Sequence, residues 1–263
     1  KNASIAHFDS VYFDTVIIIF MLLAGINFSL HYQFLRGKPL AFWRDSECRF
    51  FLGSVFILIA IVTFNIYGTV YETLGSAFQY GAFQVVSIVT TTGYVTADYE
   101  LWPAMSQLML LLCIFLGASA VSTGGGMNCL RVMLALKYCY KELFSLIHPR
   151  AFKHINIGRV PVHEDVVRSV LGFMGLYVGL FAFSSVLIAS MGVDLVTSVA
   201  SVAATIGNIG PGLGMVGPVD NFAHIPYLAD VCGRGFIQGD DRVAVSAKVA
   251  HHAPGHRLGP RVG

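Results

Sequence analysis

Four stretches of this chain are apolar almost without interruption, at about residues 12–31, 50–67, 103–117 and 166–191. Each approaches the roughly 20 residues that a helix needs to cross the hydrocarbon core of a bilayer, so four membrane helices are predicted. Two shorter runs of small and apolar residues, Leu74–Val89 and residues 194–204, follow the second and fourth stretches. They are predicted to be short pore helices that enter the membrane and return through a non-helical turn. The third stretch runs into residues 117–128, which read G-A-S-A-V-S-T-G-G-G-M-N. Three successive glycines cannot continue a stable helix, since each costs on the order of 1 kcal/mol relative to Ala. That helix should therefore break into an intramembrane loop.

The two re-entrant segments carry a common pattern. Residues 87–94 read S-I-V-T-T-T-G-Y and residues 201–208 read S-V-A-A-T-I-G-N, both matching S-x-x-x-T-x-G-[Y/N]. Ser87 and Ser201, Thr91 and Thr205, and Gly93 and Gly207 are each 114 positions apart (201 − 87). The agreement marks an internal repeat.

Composition sets the solvent. With 55% hydrophobic and 12% charged residues and a mean hydropathy of +0.67, the chain is far more apolar than a soluble domain. Membrane lipid is its expected surrounding. The first apolar run lacks a basic leader and a small-residue cleavage motif, so it reads as a membrane helix. A formal net charge of +2 gives no reason to expect a nucleic-acid partner.

The basic residues fall instead where orientation is set. Arg36, Lys38, Arg44 and Arg49 lie between the first two apolar runs, and Lys137, Lys141, Arg150, Lys153, Arg159 and Arg168 between the third and fourth. Both loops are expected on the cytoplasmic side. Residues 69–103 and 192–230, which hold the repeated motifs, contain no Lys or Arg and should face outward. Cys48, Cys113, Cys129, Cys139 and Cys232 are scattered, and read as packing residues rather than a disulfide or zinc framework.

The repeated turns carry the candidate chemistry. An ion crossing a membrane must exchange its water for protein oxygens, and consecutive backbone carbonyls supply them. Non-helical backbone is tolerated at that depth only where it is buried or lines an aqueous cavity. Thr91, Thr92, Gly93 and Tyr94 in the first turn, and Thr205, Ile206, Gly207 and Asn208 in the second, are the candidate filter. The pattern points to a K+ pore, with the partly negative C-terminal ends of the short helices aimed at the cation. Gly93 permits backbone angles that a Cβ forbids, and the Tyr94 ring should wedge behind the filter. Gly117, Ser119, Ser122, Thr123, Gly124, Gly125, Gly126 and Asn128 form a candidate gate beneath it. The blander reading of that loop is a close helix–helix contact through small residues. A phosphate-binding loop would need a preceding strand and a Gly-Lys-Ser/Thr ending.

In combination these motifs resemble the Trk/Ktr/HKT family of potassium transporters, most like its bacterial TrkH branch. The residues that carry the resemblance are 20–28 (F-M-L-L-A-G-I-N-F), 87–94, 117–128 with Arg131, and 205–214. It covers about residues 10–230. The resemblance implies an all-α integral membrane fold of repeated helix–pore-loop–helix units, four in the whole family chain and incomplete here. Residues 1–48 would be the last helix of a preceding unit with a cytoplasmic loop. Residues 49–150 would be a complete unit with a broken second helix, and 151–230 a final unit without its closing helix. It further implies a homodimer in the full-length form, a cytoplasmic nucleotide-binding regulatory subunit docking at residues 36–49 and 137–168, and a multi-pass place in the bacterial inner membrane.

Potassium uptake is thus the expected function, with no organic cofactor and no catalysis. The alternatives are a sodium-permeable or sodium-coupled symporter of the same family, and an inactive fragment. An enzyme would need ionisable side chains at membrane depth. Asp14 is the main candidate, and is expected to be interfacial. Asp98 and Glu100 should lie outside the filter, attracting cations or simply solvated. Residues 231–263 depart from the family and read as a non-membrane, truncated or frame-shifted tail, with His251, His252 and His256 weak metal-ligand candidates.

Overall fold

Inside a bilayer every backbone N–H and C=O needs a partner within the protein, which favours helices. The structure, a computed structural model describing residues 4–148, 156–158 and 160–218, is accordingly mostly helical. The tail at 231–263, including Cys232 and the three histidines, lies outside the described residues.

Helix α1 (Val11–Gly25) and helix α2 (Phe28–Leu35) come from the first apolar run, expected to be one helix. They are instead bent by 100° at the break between them. Ile26 is extended there, and the Asn27 side chain accepts the Ser29 N–H at 2.9 Å, which starts a new helix. A short helix α3 (Ala41–Arg44) leads into α4 (Ser46–Ile66). Asp45 caps α4 by accepting the Cys48 N–H at 2.7 Å. At 1.5 Å per residue the 21 residues of α4 reach about 31 Å, enough to span a bilayer.

Helix α5 (Leu74–Val89) matches the first predicted pore helix and is capped by Thr73. Helix α6 (Ala104–Leu116) has 13 residues and stops at Gly117, whose φ is 64°, so the third run does not cross alone. Helix α7 (Cys129–Ile147) resumes after the loop. A two-residue hairpin, β1 (Asn156–Ile157) with β2 (Val160–Pro161), precedes α8 (Glu164–Ser190), the second long apolar helix. Helix α9 (Leu195–Ile206) is capped by Asp194, whose carboxylate accepts the N–H groups of Val196 and Thr197.

The pore helix α5 is the centre of the packing. Every residue from Gly81 to Val89 is buried, enclosed by α1, α4 and α6. The outer faces of α4 and α8 expose Phe56, Ile57, Phe64, Leu176, Phe183 and Val186, large apolar groups suited to lipid. Asp14, expected at the interface, is buried and accepts the Gln79 side-chain N–H at 2.7 Å, tying α1 to α5. A carboxylate with a donor so placed serves packing between helices.

Helices α4 and α5 approach closely at Gly81, where an added Cβ would lie 3.1 Å from Thr63 Oγ1. Gly53, on the exposed side of α4, has nothing within 4 Å of such a Cβ. Gly81→Leu is therefore expected to destabilise the inserted chain by about 1–3 kcal/mol through overpacking, while Gly53→Leu, which meets nothing and gains helix propensity, raises stability by about 0.5–1 kcal/mol. Thermal melts of both variants in detergent measure the difference.

Candidate functional site

Both short helices end in the same three-bond turn. After α5, the N–H groups of Thr90, Thr91 and Thr92 donate to the carbonyls of Val86 (2.9 Å), Ile88 (3.0 Å) and Ser87 (2.9 Å). After α9, those of Gly207, Asn208 and Ile209 donate to Ala203 (2.8 Å), Thr205 (3.0 Å) and Ala204 (2.9 Å). Thr91 and Asn208 both have φ of 55°, and Gly93 and Gly210 are both positive, at 73° and 104°. Thr90 matches Gly207, Thr91 matches Asn208 and Gly93 matches Gly210.

The structural repeat therefore has a separation of 117 (207 − 90), three more than the letter pattern suggested. Thr205 and Ile206 lie in the last turn of α9, and Thr205 Oγ1 donates to the Ser201 carbonyl at 2.6 Å. The second return segment consists of Gly207, Asn208, Ile209, Gly210 and Pro211. Letter identity misled because the two turns use different residues for one conformation. Asn tolerates the left-handed region that Thr91 is forced into, and Gly207 occupies a helical cap at φ −72°.

The turns lie side by side. A Cβ on Gly93 would collide with the Ile209 carbonyl oxygen and lie 3.2 Å from Pro211 Cδ. Thr90, Thr92 and Ser87 turn their hydroxyls into the protein: Thr90 Oγ1 donates to Val86, meets Thr92 Oγ1 at 2.9 Å, and Ser87 Oγ donates to the Tyr94 carbonyl at 2.7 Å. Among the described residues, no donor reaches the carbonyls of residues 90–93 or 207–211. Tyr94, expected to wedge behind the filter, is 45% exposed among the described residues.

Tyr99 was not singled out in the sequence, yet it braces the second turn. Its hydroxyl donates to the Gly212 carbonyl at 2.8 Å from a fully packed position beside Trp102. Burial, reinforced by Glu100 and Asp98, pushes its phenol well above the usual range, so it stays a donor. Asp98 caps its own turn by accepting the Glu100 N–H, and Glu100 lies against Gly217.

The loop of residues 117–128 sits against the helical ends of both turns. The Gly125 N–H donates to Thr91 Oγ1 at 2.8 Å, and a Cβ on Gly125 would lie 2.8 Å from the Gly207 carbonyl oxygen. Its other side meets the α1–α2 elbow. Ser119 and Thr123 donate their N–H groups to Gly25 (3.0 Å) and Ala24 (3.3 Å), and the Phe28 N–H donates to Val121 (3.1 Å). Within the loop, Ser122 Oγ donates to the Ser119 carbonyl and accepts the Gly124 N–H. Gly117, Gly126 and Asn128 make its bends at φ 64°, 76° and 63°. Arg131, at the start of α7, stacks 3.9 Å over the Phe173 ring of α8.

Two re-entrant helices with adjacent non-helical turns, held among long apolar helices, define a multi-pass membrane protein with a pore-loop architecture. Residues 1–230 match the model of the TrkH cation transport protein family, and the chain belongs to that family. It is 40% identical over 234 residues to the Trk system potassium uptake protein TrkH of Escherichia coli K12, covering 87% of this chain and 47% of that protein. With TrkG of the same organism it shares 35% identity over 214 residues, 81% of this chain and 44% of the relative. The crystal structure of the potassium transporter TrkH from Vibrio parahaemolyticus superposes with a TM-score of 0.82 at 31% identity, over 96% of this chain and 54% of that one. The chain thus spans about half the length of the relatives it matches.

The register of the second turn is testable. Asn208→Gly should leave it intact, whereas Asn208→Val at φ 55° should cost about 1–2 kcal/mol. Faster amide exchange at Ile209, whose N–H closes the turn, is expected for the Val variant alone.

Proposed function

We propose that this chain contributes two of the units that line a potassium uptake path through the bacterial cytoplasmic membrane. The observation that carries the reading is the set of undonated carbonyls on residues 90–93 and 207–211, gathered at the C-terminal ends of two buried helices. Such ends are partly negative, and a row of free carbonyl oxygens replaces the hydration shell of a cation. The names of the relatives supply the ion, since they are potassium uptake proteins. Transport of K+ needs no bond made or broken and no organic cofactor.

Residues 49–150 act in this reading as one unit and 151–230 as another, with residues 1–48 closing a preceding one. Further units complete the ring of oxygens, and two complete copies form the homodimer. Thr91, Thr92, Gly93 and Tyr94 line the first quarter of the path; Gly207 and Asn208, continued by Ile209 and Gly210, line the second. The loop containing Ser119, Ser122, Thr123 and Gly124–Gly126 gates the path from the cytoplasmic side, where Gly125 contacts both quarters. A nucleotide-binding subunit of the Trk system docks on the basic loops at residues 36–49 and 137–168 and moves that gate.

The test supplies the missing units by fusing this chain to the complementary half of the Escherichia coli relative. Expressed in cells deficient in potassium transport, the chimera should raise rubidium uptake by about tenfold and sodium uptake far less. Gly93→Asp should abolish the uptake with membrane insertion unchanged. Uptake insensitive to Gly93→Asp, or equal for sodium, would overturn the reading.

A further inference from the structure

Glu47 lies in the first turn of α4, and its side chain is almost fully buried, at 6% exposure. No Lys or Arg pairs with it among the described residues. Its Oε1 accepts the backbone N–H of Ala120 in a short hydrogen bond, and the Asn27 side chain stands close enough to favour the charged carboxylate. Asn27 in turn caps α2 through the Ser29 N–H at 2.9 Å. One carboxyl group thus joins the start of α4, the α1–α2 elbow and the centre of the 117–128 loop.

The location matters for what the loop can do. Ala120 stands between Ser119 and Val121, whose backbones bond to Gly25 and Phe28, and a few residues before Gly125, which contacts Thr91 and Gly207. Packing alone does not call for an acid at this place. A buried carboxyl is costly unless its hydrogen bonds are made, and the one made here runs to the loop, while Asn27 of the elbow favours the same charge. The partly positive start of α4 offsets part of that cost.

We propose that Glu47 is the positioning residue of the loop. It sets how closely Gly125 approaches the two turns, and through Asn27 it couples that approach to α2 and the basic segment that follows. Displacement of α2 pulls on Glu47 and Ala120 together, so the loop moves as a unit with the elbow. The inference rests on the reading of residues 117–128 as a gate, and its test does not depend on ion flux.

Ser119 provides the reporter, because it is 1% exposed and its hydroxyl has no hydrogen-bond partner among the described residues. Ser119→Cys is introduced together with Cys139→Ser and Cys232→Ser, and membrane vesicles are treated with a water-soluble maleimide. Glu47→Ala should accelerate labelling at position 119 by about tenfold, and Glu47→Gln and Asn27→Ala by about threefold, as local opening becomes easier. Native Cys113, fully buried between helices, should remain unlabelled in all variants. Unchanged labelling at position 119 in the inserted variants overturns the proposal, as does equal labelling of Cys113, which would signify general loosening. Should Glu47→Ala fail to insert, the other two variants decide. Accelerated labelling in a chimera that carries no rubidium would refute the gate while leaving Glu47 as the residue that holds the loop. Normal uptake with unchanged labelling would refute Glu47 alone.

Discussion

Broken helices inside a membrane must satisfy their loose ends, and here two breaks satisfy one another. The α1–α2 elbow leaves carbonyls at Ala24 and Gly25 and an N–H at Phe28; the loop between α6 and α7 supplies N–H groups at Thr123 and Ser119 and a carbonyl at Val121. Each such group left unpaired in a buried setting costs about 1–3 kcal/mol. Neither break could stand without the other. Their mutual bonding brings the loop to the one level of the molecule where a third kind of break, the turns after α5 and α9, begins.

Those turns obey the opposite rule. Their N–H groups are spent on the preceding helix, while the carbonyls of residues 90–93 and 207–211 receive no donor from any described residue. Such an arrangement is stable only if something else faces those oxygens. Small residues let the two turns come together, Gly93 against Ile209, and Tyr99 holds the far side of the second. The side-chain hydroxyls of Ser87, Thr90 and Thr92 are consumed within the first turn, which leaves the backbone as its chemical surface.

Much of this was legible in the residues. The pore helix Leu74–Val89 follows from its small, apolar composition, and the break at Gly117 from three glycines in succession. The bend in the first apolar run was hidden, because residues 16–26 are uniformly apolar and the Asn27 and Ser29 that follow do not by themselves mark a bend. Tertiary partners decide that bend. The register of the second turn was hidden for a different reason: the same backbone angles are met by Thr91 in one unit and Asn208 in the other, so matching letters placed the second turn three residues early. Asp14 and Glu47 show the same limit, since burial of a carboxyl depends on donors from remote residues, Gln79 for one and Ala120 for the other.

The sequence by itself determined that this protein lives in a membrane and that two of its units repeat, and it set the expectations that the basic loops share one side and that backbone rather than side chains meets an ion. These properties depend on composition and local spacing, which act through transfer free energy and local conformational preference. Only the tertiary structure decided where each helix ends, which carbonyls remain free, and which loop closes on them. Those outcomes turn on hydrogen bonds between residues far apart in the chain, such as Gly125 with Thr91 and Ser119 with Gly25, and no local pattern encodes which distant donor will arrive.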